Sequence, residues 1–263
     1  MPTVSEILAF LDSKAPLSTK MEWDNVGLLA GFAGQEVKRI LIALDITDEV
    51  VSEAAAIGAE LIVSHHPLFF DLKSVTDKDG TGRKIVNLIK NGISAICLHT
   101  NLDAASGGVN DTMAALLGLS NVRLLSEEGK GPDGSAYGIG RYGELPEPVS
   151  MDSFLQLVKS KLVCNGLRYH DSGKPVRRVA VLGGSGGGDM KHAIEKGCDT
   201  FVTADIRYNT FLDAKEEGLN LIDADHFCTE NVVCPRLKQW LGEAFTGIEV
   251  DISAIHKQTA NFF

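Results

Sequence analysis

Two stretches of this chain superimpose without a gap. Arg39-Ile40-Leu41-Ile42-Ala43-Leu44 lines up with Arg178-Val179-Ala180-Val181-Leu182-Gly183, and the same shift sets Gly58-Ala59-Glu60 on Gly197-Cys198-Asp199 and Ser64 on Thr203. With a slightly shorter spacing, residues 91–99 meet residues 217–225. Each copy runs from an apolar segment of strand length through a helical segment to further apolar runs, the pattern of βαβ units. The expected fold is therefore α/β: two pseudo-symmetric α/β lobes with mainly parallel sheets covered by helices, and a metal site in the cleft between them.

The chain of 263 residues is long enough to bury a sizeable core in two such lobes. No apolar run approaches the roughly 20 residues of a membrane span. The start, MPTVSEILAFLDSKAP, lacks a basic segment followed by an apolar secretory core, so a cytoplasmic protein is expected. A formal charge of −10 and the lack of a Lys/Arg-rich run with interleaved aromatics argue against nucleic acid as a partner. The 5 cysteines are odd in number, scattered and without a CxxC pair, so neither a disulfide framework nor a thiolate zinc knuckle is supported.

Along the chain, Thr3 and Glu6 have the form of a capping box ahead of Val4, Ile7, Leu8 and Leu11 at helical spacing. Strands are expected at Ile40 to Leu44, Leu61 to Val63 and Ile93 to Leu98, with helices after Thr47, from Arg83 to Asn91 and from Asn110 to Leu117. Residues 129–140, rich in glycine and polar residues, mark the expected join. The first lobe is thus placed at 1–128 and the second at 129–240, opening with a helix from Met151. Ile248 to Ile255 alternates and is expected to return as an edge strand to either lobe, with the segment 241–263 assigned to pack back on the first.

The chemistry gathers at strand ends, where open α/β sheets bind ligands. His65 and His66 close the second strand, and Pro67 forces the backbone out of regular structure just beyond them. Imidazole is a common transition-metal ligand, and metal ligation competes with the reading of a satisfied structural pair. His99 and Asp103 follow the third strand. In the second copy, the matching stretch ends in Asp225, His226 and Glu230, with Thr229 as a candidate N-cap for a helix from Asn231 to Trp240. His65, His66, His226, Asp103 and Glu230 offer nitrogen and oxygen donors suited to zinc, manganese or iron, too few to saturate two ions, which leaves open positions for catalysis. The HExxH pattern of zinc peptidases is absent.

The run Gly183 to Gly188 follows a strand and opens a helix, so it reads either as an anion cradle or as a tight turn. On the first reading Gly184, Ser185 and Gly186 contact substrate; Asp205 is a further candidate contact, with a surface salt bridge as its alternative. His170, His192 and His256 have no donor cluster nearby in sequence and read as structural or solvated. Cys228 reads as a buried small residue rather than a nucleophile.

Glu22-Trp23-Asp24-Asn25-Val26-Gly27-Leu28-Leu29, Ser64-His65-His66-Pro67-Leu68, His99-Thr100-Asn101-Leu102-Asp103 and His226-Phe227-Cys228-Thr229-Glu230 resemble the ordered motifs of the NIF-three-like family, whose members are known as GTP cyclohydrolase I type 2 homologues. The resemblance spans essentially the whole chain. It implies a dinuclear site holding two divalent metal ions per subunit on His65, His66, Asp103, His226 and Glu230, with His99 close by either as a group that supports the ligands or as a proton carrier. It also implies a ring-shaped (toroidal) homohexamer and a small-molecule nucleotide substrate. Longer members carry a domain inserted between the lobes, whereas this chain has only a short segment there. The expected function is a metal-dependent hydrolase opening the purine ring of a nucleotide such as GTP. A dinuclear phosphoesterase or amidohydrolase, and a non-catalytic metal-binding hexameric scaffold, are the competing expectations.

Overall fold

The structure, a computed structural model, describes residues 1–261. The chain forms two compact units, one of residues 1–105 with 233–257 and one of residues 106–232 with the segment from Gln258. The first unit opens with α1 (Val4–Lys14), β1 (Gly27–Ala30), β2 (Arg39–Ala43), α2 (Asp48–Ile57), β3 (Leu61–Ser64), α3 (Gly80–Lys90), β4 (Ser94–Cys97) and α4 (Thr100–Ala104). The second contains α5 (Val109–Leu116), β5 (Ser120–Leu124), β6 (Gly129–Lys130), β7 (Ala136–Tyr137), β8 (Arg141–Val149), α6 (Met151–Lys161) and β9 (Arg168–His170). It continues through β10 (Val176–Val181), α7 (Met190–Glu195), β11 (Thr200–Thr203), α8 (Tyr208–Glu217), β12 (Asn220–Asp223) and α9 (His226–Glu230). The chain then returns to the first unit with α10 (Val233–Ala244) and β13 (Glu249–Ile252).

The internal repeat is visible in both sheets. In the first, β13, β2, β3 and β4 run parallel in that spatial order, with β1 antiparallel on the far side of β4. In the second, β10, β11 and β12 form the equivalent parallel core. This second sheet is mixed rather than mainly parallel, because β8 and β5 add antiparallel strands beyond β10, and β9 adds one beyond β12.

Local sequence accounts for the element ends. Thr3 and Glu6 make both bonds of a capping box on α1, and Thr47 Oγ1 accepts from Val50 N to start α2. Each such cap contributes about 1 kcal/mol. Gly58 closes α2 in the left-handed region at φ 71°, where a side chain would be strained. β3, β4, β11 and β12 are buried along their whole length, which explains why their centres are apolar on both faces and do not alternate. Alternate residues of the second sheet serve opposite faces: Val179, Val181, Val202 and Ile222 pack with Phe154 of α6, while Ala180, Phe201 and Leu221 pack with Ala193 of α7 and Ala214 of α8.

The division falls at residue 105 rather than beyond 128, because Met113 and Ala114 of α5 belong to the core that Phe154 and Val179 anchor. Residues 129–140 form the β6–β7 hairpin inside the second unit. In both sheets the parallel strands end in the same way, delivering His65 and His66 after β3, His99 after β4, Asp205 after β11 and His226 after β12.

Candidate metal centre

In the first unit the sheet carries on just past β3, with His66 N donating to Leu44 O at 2.9 Å, so both histidines are fixed by backbone before their side chains are considered. His65 is fully buried and its Nδ1 donates to Leu98 O at 2.9 Å. His66 Nδ1 donates to Asp45 Oδ1 at 2.7 Å, and His99 Nδ1 donates to Asp24 Oδ1 at 2.8 Å. A carbonyl or carboxylate oxygen can only accept, so the proton sits on Nδ1 in all three rings and the lone pair on Nε2. The three rings lie with centroids 5.1 to 5.6 Å apart, and one ring nitrogen from each falls within 4.8 Å of the others. Asp103, in the first turn of α4, brings Oδ1 to 3.7 Å from His65 Nε2.

Two aspartates hold this cluster. Asp24 is buried and also accepts from Thr100 N at 3.0 Å and from Thr100 Oγ1 at 2.5 Å. Burial alone would raise its pKa, but the bonds from His99 and Thr100 outweigh burial and bring it down to about 2. Asp45 lies two residues beyond the end of β2. Burial works against its charge too, yet the bonds from His256 and His66 hold it well below the usual carboxylate range. Both carboxylates are therefore ionised at neutral pH and orient the rings they face.

The second unit repeats the device. His226 opens α9, its Nδ1 donates to Asp205 Oδ2 at 2.6 Å, and its Nε2 lies 3.0 Å from Glu230 Oε2, one turn later. Burial lowers the pKa of His226, but the bonds to Glu230 and Asp205 outweigh it and raise the value to about 9 in the metal-free protein. Asp205 and Asp225 both adopt positive φ, 53° and 69°. Such backbone strain at non-glycine residues gathers where side-chain placement matters more than local stability.

The glycine run makes room for this pair. A Cβ on Gly184 would stand 2.2 Å from Glu230 Oε1, and one on Gly183 would stand 3.2 Å from Glu230 Cγ. The amides of Gly183, Gly184 and Gly186 donate to Asn110 Oδ1, Thr229 Oγ1 and Thr203 Oγ1, at 2.9, 3.0 and 2.9 Å. Ser185 is exposed at the tip of the turn. Thr229 is not the N-cap of the following helix. Asp225 caps α9 by accepting from Cys228 N, and Thr229 sits inside that helix with its hydroxyl on backbone carbonyls.

His65, His66, His99 and Asp103 come together in the first unit, and His226 and Glu230 in the second. Sequence reasoning did not single out Asp45, and it read His256 as structural or solvated without a partner; His256 Nε2 lies 2.9 Å from Asp45 Oδ2. Asp24 stands in a quoted motif, but its bond to His99 spans 75 residues and leaves no local pattern. Asp205 is placed against His226, a contact that the repeat hints at by setting Asp205 on His66. Cys228 is buried.

These groups can hold a metal ion. The donor set is imidazole nitrogen with carboxylate oxygen, each ring has its tautomer set by an acceptor on Nδ1, and Gly183 and Gly184 leave the space that Glu230 needs. All three features fit a divalent transition metal. Among the described residues, no helix is long and apolar enough to cross a membrane.

Known proteins resemble this chain along most of its length. A Clostridium perfringens protein named GTP cyclohydrolase 1 type 2 homolog is 39% identical over 229 residues, 86% of either chain. A Streptomyces coelicolor protein of the same name is 38% identical over 88% of this chain and 82% of its own. The crystal structure of a Bacillus cereus protein related to NIF3 matches with a TM-score of 0.91 at 27% identity, over 100% of this chain and 99% of that one. The family model described as Duf34/NIF3 (NGG1p interacting factor 3) matches residues 2–261, and this chain is a member of that family.

Proposed function

We propose that this chain is a metal-dependent hydrolase with a dinuclear centre, whose ligands are His65, His66, Asp103, His226 and Glu230, and that it opens the ring of a purine nucleotide in the manner of a GTP cyclohydrolase. The observation that carries the reading is the common treatment of four histidines: His65, His66, His99 and His226 each commit Nδ1 to a fixed acceptor, which prepares Nε2 for a ligand or a proton. A purely structural histidine gains nothing from sharing that arrangement with three others. The names of the relatives supply the substrate class.

When bound, divalent ions supply Lewis acidity that brings the pKa of a water toward neutrality and polarises a ring nitrogen or oxygen. The chain's own residues supply placement and proton handling. Asp45 and Asp205 fix the planes of His66 and His226. Asp24 stays ionised and accepts from His99 Nδ1, which fixes the plane of that ring and leaves Nε2 as the atom that takes up and returns a proton. The net reaction adds one water at the imidazole-ring carbon, opening the ring as a formamide. A second water hydrolyses the formamide to formate and an amine.

Formate release from GTP by metal-supplied protein tests the reading. His66→Ala should abolish it, while His99→Ala should slow it about 100-fold or more and retain metal. If GTP is untouched but a phosphate ester is cleaved, the same donors serve a phosphoesterase. If neither reaction occurs and His66→Ala changes only assembly, the metal-binding scaffold is the better account. The ring-shaped homohexamer belongs to the proposal, and sedimentation checks it.

A further inference from the structure

We propose that Trp23 and Phe70 form a stacking platform beside His99 that receives the planar heteroaromatic ring of the ligand. The proposal rests on reading His65, His66 and His99 as part of the metal centre. Trp23 is 64% exposed and Phe70 55% exposed, although both are large and apolar. Scattered exposed aromatics need no explanation, but these are neighbours: their ring centroids lie 5.7 Å apart at an interplanar angle of 52°. Each is also 5.9 Å from the His99 ring, Trp23 edge-on and Phe70 tilted. The exposed aromatic surface therefore reaches to within one ring's width of the ring whose nitrogen belongs to the donor cluster.

The platform is also held in place. Asp24, next to Trp23, is tied to His99 and Thr100 through its side chain, and Met21 N donates to Thr100 Oγ1 at 2.9 Å. Asn25 Nδ2 donates to Phe69 O at 2.9 Å, which fastens the loop carrying Trp23 to the loop carrying Phe70. Two aromatic rings on cross-linked loops lose little freedom when a ligand arrives, so stacking there is favoured by preorganisation. A flat ring laid on this surface brings its edge toward the donor nitrogens. A macromolecular partner would have no need of that adjacency.

The test uses Trp240→Phe protein, which leaves Trp23 as the sole indole of the 2 in the chain. Guanosine should quench its fluorescence saturably, whereas ribose 5-phosphate, which has the sugar and charge but no base, should not. By equilibrium dialysis, Trp23→Ala and Phe70→Ala should each weaken guanosine binding about ten-fold, the scale of one lost stacked base, with metal content unchanged. Trp23→Phe should recover most of the affinity. Unchanged guanosine affinity in both alanine variants would overturn the proposal. So would a Trp23→Ala protein that sediments as a smaller species, since the face would then belong to a second copy of the chain. Saturable quenching without formate release would leave the platform standing while ring opening failed; formate release at unchanged KM in Trp23→Ala would do the reverse.

Discussion

His66 and Asp45 are joined by a hydrogen bond of 2.7 Å from Nδ1 to Oδ1, and the other oxygen of Asp45 lies 2.9 Å from His256 Nε2. A residue from the C-terminal segment thus steadies the carboxylate that orients a proposed ligand. Asp45→Ala should lower metal affinity 10- to 100-fold, the usual cost of removing the group that orients a ligating histidine. His256→Ala should cost less, because Asp45 keeps its bond to His66. Competition with a chelating dye measures both.

The metal-free protein should carry a pH signature at His226. Its folded pKa of about 9 lies above the unfolded value of 6.5, so the stabilisation is fully present below about pH 6.5 and is lost as pH rises through about 9. His226→Gln should flatten that alkaline loss in a series of thermal melts on metal-free protein. A metal ion taken up at Nε2 must displace the same proton, so affinity should rise with pH and binding should release protons, which calorimetry in buffers of different ionisation enthalpy detects.

Two glycines four residues apart should respond unequally to alanine. Gly184 has φ 67°, and an added Cβ would meet buried Glu230 at 2.2 Å, so Gly184→Ala should cost about 1–3 kcal/mol and reduce metal content. Gly188 has open space around its Cβ position and no positive φ. Gly188→Ala should be close to neutral in both melting temperature and metal content.

Asp24 should dominate part of the acid limb. Its pKa of about 2 lies below the ordinary 3.8, so its stabilisation is present above about pH 4 and disappears as pH falls through 2. The shift corresponds to about 2 kcal/mol at neutral pH. Asp24→Asn should lower stability at pH 7 by about that amount and bring little further loss between pH 4 and 2, as followed by denaturant titration.

The repeat made the core of both units legible: matching apolar runs at 39–44 and 178–183 became β2 and β10, each at the start of a parallel β-α-β-α-β run. Caps written in local chemistry, such as Thr3 with Glu6 and Gly58, also read directly. The antiparallel additions did not. β8 contains Pro146 and Pro148, residues that argue against a strand, and they fit because they fall where the pairing with β10 is irregular, between the partners of Val176 and Arg178. β1 is short, kinked by a register shift between Leu28 and Ala30, and it begins at Gly27 and is followed by Gly31, both at positive φ. Similarly, the expected helix from Asn231 is α10, which begins at Val233, and a separate short helix, α9, precedes it with Asp225 as its cap, so Thr229 lies inside α9.

At the site, the histidines and Glu230 stood out because imidazoles and a carboxylate at strand ends are unusual together. Asp24 and Asp45 did not, since a lone aspartate after a strand or in a loop has the look of a turn residue. Their roles are set by partners 75 and 21 residues away, a separation that sequence spacing does not encode.

Metal content per chain is the most direct measurement, made by elemental analysis of untagged protein prepared without chelator, beside His66→Ala and Glu230→Ala. The account predicts about two divalent ions per native chain and a clear loss in both variants, with folding retained. A native chain that binds no metal even when divalent ions are supplied would contradict it.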